Sequence, residues 1–348
     1  MLRQQDVGHR IVVRRIVGIR EGRPLFSDAL GELVELSETH LTLATAQGQL
    51  RVPVAQVHRA KRVPPTRRPT AAAVVALERA ADEAWPAPTR GRLGDWLLRS
   101  ADGWTGRANS ALPIGDPDRP LPAAVDAVER WYAEQGQPAL INTPLPLAAP
   151  VGAELDSRGW GSRPPTLVQT APLPLPAQDT AVARNGSAVA GAGVEPVTGA
   201  DVEPTSGAGA EPVPGADMEL VAAPSAAWLA IAAGRKGGLP DAARHVLTAV
   251  DQVRFAHAYA DGTLVAIGRG TVTGQGRWLG LSLVEVLPEA RRQGLARAVI
   301  AALADWGRSA GATHAFLQVE QRNTAAVALY QRLGFTTHHT YLTRVAPH

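Results

Sequence analysis

Over residues 1–63 the apolar positions come in short, evenly spaced clusters. They are Ile11, Val13 and Ile16; Leu33, Val34 and Leu36; Leu41 and Leu43; then Leu50 and Val52, with Gly48 turning the chain between the last two pairs. Such runs predict strands of a small all-β barrel. Val63-Pro64-Pro65 and Arg67-Arg68-Pro69 form a stiff connection, after which the pattern lengthens. Thr70 stands where a helix N-cap belongs, and a helix is predicted through Glu83. Trp96–Arg99 and Trp104–Leu112 read as two strands turned at Asp102-Gly103. Pro122–Glu134 reads as a helix with Val125, Val128, Trp131 and Tyr132 on one side. A strand at Ala139–Asn142, a short helix at Val151–Ser157 and a strand at Thr166–Thr170 follow. This alternation predicts an α/β unit over residues 70–172.

From 173 to 217 the chain becomes Ala, Gly, Pro, Val and acid, with a degenerate repeat at Val194-Glu195-Pro196, Val202-Glu203-Pro204 and Ala210-Glu211-Pro212. It has too little apolar surface to offset the entropy of ordering, and predicts a disordered linker where a protease cuts first and frees a stable C-terminal piece. Over 218–348 helices are predicted around Trp228–Ile231 and Pro240–Val250, then strands at Val253–Tyr259, Thr263–Val272 and Trp278–Val286. A helix at Gly294–Ser309, a strand at Ala315–Glu320, a helix at Thr324–Leu333 and a strand from Phe335 complete it. An antiparallel meander followed by a crossover helix and a further strand is an α/β (α+β) arrangement with a mixed sheet.

Length and composition sharpen this picture in three ways. A chain of 348 residues is longer than one ordinary domain, and 45% hydrophobic residues suffice for real cores. The charge is only +3, and Lys61 and Lys236 are the only lysines. The arginines therefore reflect a GC-rich coding bias, and a nucleic-acid partner is not expected. Cysteine is absent, which excludes disulfides, thiolate metal sites and a cysteine nucleophile; no metal is expected. With no leader and no membrane-length apolar run in the sequence, a cytoplasmic protein without a membrane partner is expected.

The chemistry concentrates in Val284-Glu285-Val286-Leu287-Pro288-Glu289-Ala290-Arg291-Arg292-Gln293-Gly294-Leu295-Ala296-Arg297. A strand runs through a loop into a helix whose apolar face is Leu295, Val299, Leu303 and Trp306. The first turn of such a helix offers free N–H groups and a positive dipole end to a diphosphate. Gly294 admits the anion, Ala296 adds little bulk, and Arg291, Arg292 and Arg297 supply charge. Taken alone, the same pattern also describes a glycine at an ordinary strand-to-helix turn under an arginine-covered surface.

Its company narrows the choice. Arg291-Arg292-Gln293-Gly294-Leu295-Ala296 resembles the acetyl-CoA-binding Arg/Gln-x-x-Gly-x-Gly/Ala motif of the GNAT superfamily of N-acetyltransferases. Downstream, Asn323 through Tyr330 to Gly334-Phe335 resembles that superfamily's Asn-x-x-Ala-x-x-Leu-Tyr-x-x-x-Gly-Phe block, so the likeness spans Met218 to the C-terminus. The residues 31–57 resemble an SH3-like module, and the whole layout is similar to actinobacterial GNAT proteins with an SH3-like domain in front.

The resemblance implies a splayed sheet opening between Val286 and Glu320. Pantetheine would bond to the backbone at Val284 and Val286, and the diphosphate would meet the N–H groups from Arg292 to Arg297. Asn323 would hold the cofactor arm, and Tyr330 would protonate the leaving thiolate. In the related ribosomal-protein alanine acetyltransferases a glutamate occupies the place of Gln318. Glutamine takes no proton, which leaves Glu320 and Glu285 as candidate bases. The middle unit echoes the motif block at Leu155 to Gly159-Trp160 without an arginine-glycine loop, suggesting a degenerate GNAT half. It either walls the acceptor site with Arg107-Ala108-Asn109-Ser110 or only packs against the active half. The expected activity is transfer of an acetyl group from acetyl-CoA to an amine on a small molecule or protein. The alternative is an acyl-CoA-binding regulatory module with a protein- or nucleic-acid-binding barrel.

Overall fold

Alternating apolar and polar residues build β1 (Arg10–Arg20), β2 (Arg23–Leu36), β3 (His40–Thr45), β4 (Gly48–Pro53) and β5 (Val57–Arg62). The computed structural model describes residues 2–20, 22–45, 48–63, 69–176, 216–234 and 239–347. They fall into two units, 1–68 and 69–348. In the first, the antiparallel order is β4-β3-β2-β1-β5, so β4 and β5 are edges of an open hydrogen-bonded path. Ile11, Val13, Leu33, Leu41, Leu43 and Val52 form its core, one face of each strand pointing inward. The all-β character matches the sequence pattern.

The second unit opens with α1 (Ala71–Glu83), where the Thr70 hydroxyl accepts from the Ala73 N–H as an N-cap. β6 (Thr89–Leu93) pairs with β7 (Trp96–Ser100), then come α2 (Leu121–Glu134), β8 (Leu140–Leu145), α3 (Ala149–Ser157), β9 (Gly161–Ser162) and β10 (Thr166–Pro172). The predicted strand at Trp104–Leu112 is instead a loop with a single 3-10 turn at Arg107–Asn109. Buried Asn109 explains the difference: its Oδ1 accepts from the N–H groups of Ala101 and Gly103, and its Nδ2 donates to the Trp104 and Thr105 carbonyls. One amide thus replaces the partners a strand would need.

Of the predicted linker 173–217, residues 177–215 lie outside the described residues. β11 (Ala216–Val221) begins at its end, followed by α4 (Ala226–Gly234), α5 (Asp241–Thr248), β12 (Val253–Ala260), β13 (Thr263–Thr273) and β14 (Trp278–Val286). α6 (Leu295–Ser309), β15 (His314–Glu320), α7 (Thr324–Arg332) and β16 (Thr336–Val345) complete the unit. These join the earlier strands in one nine-stranded sheet, order β11-β12-β13-β14-β15-β10-β16-β8, with β9 on β16. β14 and β15 are parallel and every other pair antiparallel. Strand β10, drawn from the predicted middle unit, lies inside the sheet between β15 and β16, so residues 69–176 and 216–347 share one fold. A C-terminal piece cut free in the linker would lack an interior strand of its own sheet.

Helix α6 packs on β13 and β14 through Leu295, Val299, Ile300 and Leu303. The contact is close because β13 carries Gly268, where an added Cβ would stand 2.4 Å from Val299 Cγ1. On the opposite side, Trp85, Trp104, Trp228 and Phe255 form a second core. The echo between the halves is visible in their helix ends: the Trp160 N–H donates to the Leu155 carbonyl and the Phe335 N–H to the Tyr330 carbonyl, both at 3.0 Å. Each bond spans a left-handed glycine, Gly159 or Gly334, the geometry of a Schellman closure.

Candidate active site

The strands flanking α6 part company at a definite point. β14 and β15 pair from Trp278–His314 only as far as Leu281–Leu317, while β14 continues along β13 to Val286. A bulge in the β13–β14 register coincides with Leu283 at φ +51°, which bends β14 away from its parallel neighbour. The resulting cleft is a cavity of about 810 Å³. Ser282 to Glu285 line it from β14, Gln318 to Glu320 from β15, and Asn323, Ala326 and Tyr330 from α7 and its cap; Trp85, Thr105–Arg107, Arg163 and Tyr341 line it too.

At the mouth of α6, Arg291 is extended, Arg292 is left-handed at φ +69° and Gly294, the N-cap, is left-handed at φ +83°. The first intrahelical bond runs from Ala298 N–H to Gly294 carbonyl, so the N–H groups of Leu295, Ala296 and Arg297 precede it. Arg291, Arg292, Gln293 and Arg297 are exposed around this turn, whereas Leu295 is buried in the core. The fold therefore brings together a positive helix end, a left-handed glycine and three guanidinium groups. Arg291 Nε donates to the Val286 carbonyl at 3.2 Å, one of the two backbone positions assigned above to pantetheine. The equivalent end of α2 cannot do the same, because Pro120 and Pro122 remove N–H donors there.

The remaining sequence-predicted residues differ in their surroundings. Asn323 caps α7, its Oδ1 accepting from Ala326 N–H at 3.3 Å. Tyr330 is half-buried and edge-on to Phe335, ring centroids 6.0 Å apart. Glu320 is half exposed and bonded to Arg322 at 2.6 Å. Glu285 is half-buried on β14 in the cavity wall. Gln318 accepts from the Tyr341 hydroxyl at 3.1 Å. Of Arg107-Ala108-Asn109-Ser110, only Arg107 lines the cavity; the other three are buried and structural.

Sequence reasoning missed Trp85 and Arg163, which lie far from the motifs in the chain, and Tyr341, which follows the motif block on β16. It also missed Arg269, wholly buried beneath the cavity wall. Arg269 donates to the carbonyls of Ala84, Val246 and Leu247, at the negative ends of α1 and α5, and stacks on Trp85 at 5.2 Å. Burial, aided by nearby Arg107, pulls its pKa down to about 9. Among the described residues no group of three or more His, Cys, Asp or Glu is placed to hold a metal ion, and no helix is long and apolar enough to cross a membrane.

This splayed sheet with a glycine-capped helix at its opening defines the class, the GCN5-related N-acetyltransferase fold. A solved GCN5-related N-acetyltransferase from Kribbella flavida superimposes with a TM-score of 0.55 at 16% identity, covering 81% of this chain and 97% of that one. More particularly, the chain belongs to the family described as "Probable histone acetyltransferase Rv0428c C-terminal", whose model matches residues 71–159 and 175–343. A Mycobacterium tuberculosis protein named probable histone acetyltransferase Rv0428c is 30% identical over 348 residues, 97% of this chain and 95% of that protein. The Bacillus subtilis protein named uncharacterized N-acetyltransferase YobR is 28% identical over 270 residues, 75% of this chain and 93% of that protein.

Proposed function

We propose that the protein is an acetyl-CoA-dependent N-acetyltransferase that moves the acetyl group directly onto a primary amine. The observation that carries this reading is the parting of β14 from β15 beyond Leu281: Val284, Glu285, Asn323 and Tyr330 line one cavity there, and β14 runs on toward the left-handed Gly294 turn at α6. Acetyl-CoA supplies an activated thioester. The N–H groups of Leu295, Ala296 and Arg297, with Arg291, Arg292 and Arg297, bind its diphosphate, and Gln293 shapes the turn between them. Beyond Leu281 the edge of β14 no longer bonds to β15, which leaves backbone groups near Val284 and Val286 to accept the pantetheine amides. Arg291 gives up the Val286 carbonyl as it turns to phosphate. The Asn323 amide group, free to donate while its oxygen caps α7, steadies the cofactor arm.

Tyr330 holds the proton that the departing thiolate takes from its phenol. Glu285 and Glu320, both in the cavity wall, are the candidates to accept the proton of the ammonium. The N-terminal all-β unit is read as an SH3-like structural adjunct. The test is calorimetric titration with acetyl-CoA, followed by CoA release against a panel of amines. Binding with release supports the enzyme; binding with no release for any amine supports an acyl-CoA-sensing module; no binding overturns both.

A further inference from the structure

The cavity lining carries a charge pattern that restricts the acceptor. Arg107 lies on the face of Trp85 at 5.3 Å, the same ring that Arg269 approaches at 5.2 Å. Its Nε is fully enclosed and has no hydrogen-bond partner. Beside it, Arg163 reaches over Gly106 so closely that a Cβ there would stand 2.8 Å from Arg163 Nη1. Both arginines line the cavity. Among the described residues no carboxylate forms an ion pair with Arg107, Arg163 or Arg269, and Glu320 is already committed to Arg322. Enclosing a guanidinium N–H without an acceptor is costly, and adjacent like charges repel. An anion in the cavity relieves the repulsion, and planar guanidinium forks suit a carboxylate or a phosphate. A polyamine or a lysine-rich segment placed here meets the opposite field.

We infer that the acceptor is an amine that also bears an anionic group, carboxylate or phosphate, which Arg107 and Arg163 hold while the amine faces the thioester. This inference rests on the acyltransferase reading of the site. The test uses the full chain at saturating acetyl-CoA, with CoA release compared at equal concentrations of neutral amine. The pairs are 4-aminobutyrate against its amide, and O-phosphoethanolamine against ethanolamine, with spermidine as the cationic comparison. The anionic member is expected to lead by about 10-fold or more in kcat/KM, the size of one charge-assisted hydrogen bond. Whichever pair shows the larger ratio identifies carboxylate or phosphate as the source.

Arg107→Gln and Arg163→Gln are expected to remove most of that ratio by raising KM, with acetyl-CoA affinity and Tm kept. Equal or better use of the amide or spermidine by the parent overturns the inference, as does a preference that survives in the double variant. If acetyl-CoA binds but no amine turns over, the same pairs are titrated into the CoA-loaded protein: tighter binding of the anionic member supports the inference and equal binding overturns it. Failure of acetyl-CoA itself to bind strikes the acyltransferase reading, and is thereby told apart from a failure of the anion preference alone.

Discussion

Replacing Gly294 by valine tests the cofactor turn at its most constrained point. Gly294 has φ +83° and ψ −3°, a left-handed conformation that costs an L-residue about 1–2 kcal/mol and a β-branched one more. Valine therefore drives the loop out of that conformation, and the N–H groups of Leu295 and Ala296 turn from the diphosphate. Each hydrogen bond to a charged group contributes about 1.5–3 kcal/mol, so losing two weakens acetyl-CoA by about 3–6 kcal/mol, roughly 10²–10⁴-fold. Global stability should fall only by about the strain itself, ~1–2 kcal/mol, because the Leu295–Leu303 face of α6 stays packed. Titration calorimetry with acetyl-CoA reads the affinity and urea unfolding reads the stability. Gly294→Asn separates the causes, since asparagine tolerates the left-handed conformation but adds bulk. Parental affinity in the valine variant, with the fold intact, refutes the assignment of this turn to the diphosphate.

Tyr330→Phe should retain acetyl-CoA affinity and lose about 10²-fold or more in kcat, measured at saturating cofactor. Of Glu285→Gln and Glu320→Gln, the variant that removes the base should lose turnover chiefly at low pH, where neutral amine is scarcest; parental pH profiles in both exclude either carboxylate as the base. A protease site engineered into 177–215 should, once cut, leave residues 69–176 and 216–348 co-eluting on gel filtration, whereas 216–348 expressed alone should fail to fold for want of β10. His338 is held at about 4, below its ordinary 6.5, by burial and by His339 beside it. Between those values the unfolded chain binds more protons, so stability falls as pH drops from about 6.5 to 4. Urea midpoints across that range should show the slope in the parent and less of it in His338→Gln.

Much of this was legible in local sequence because it obeys local rules. Thr70 before an apolar run and Gly294 at a strand-to-helix turn each act through their immediate neighbours, and each stands at the N-cap of its helix. Gly334-Phe335 was readable for the same reason, since a helix end needs only its own last turn. What escaped was set by distant partners. Strand β10 reads as any short half-buried strand, and nothing in Thr166–Pro172 says that its neighbours are β15 and β16. Trp104–Leu112 has strand-like composition, yet Asn109 diverts its backbone bonds. Arg163 and Tyr341 join the cavity only because β9, β10 and β16 lie side by side.

The interleaving of the sheet has a consequence for synthesis. Thr143 of β8 donates to the Leu342 carbonyl of β16, 199 residues further on, and Thr273 to the Ala80 carbonyl, 193 residues back. Pairings of such high contact order form slowly, because a long loop must close before any bond rewards it. On the ribosome, β10 emerges with both edges bare and waits for β15 and β16, while β8 waits for β16. During that interval the nascent chain presents unpaired strand edges, the kind of surface chaperones hold and aggregates recruit. The end of a chain is ordinarily its most dispensable stretch. Here the strand Thr336–Val345 closes the sheet around β10, so a ribosome that stops short of it releases a chain in which β10 has one bare edge and β8 no partner strand.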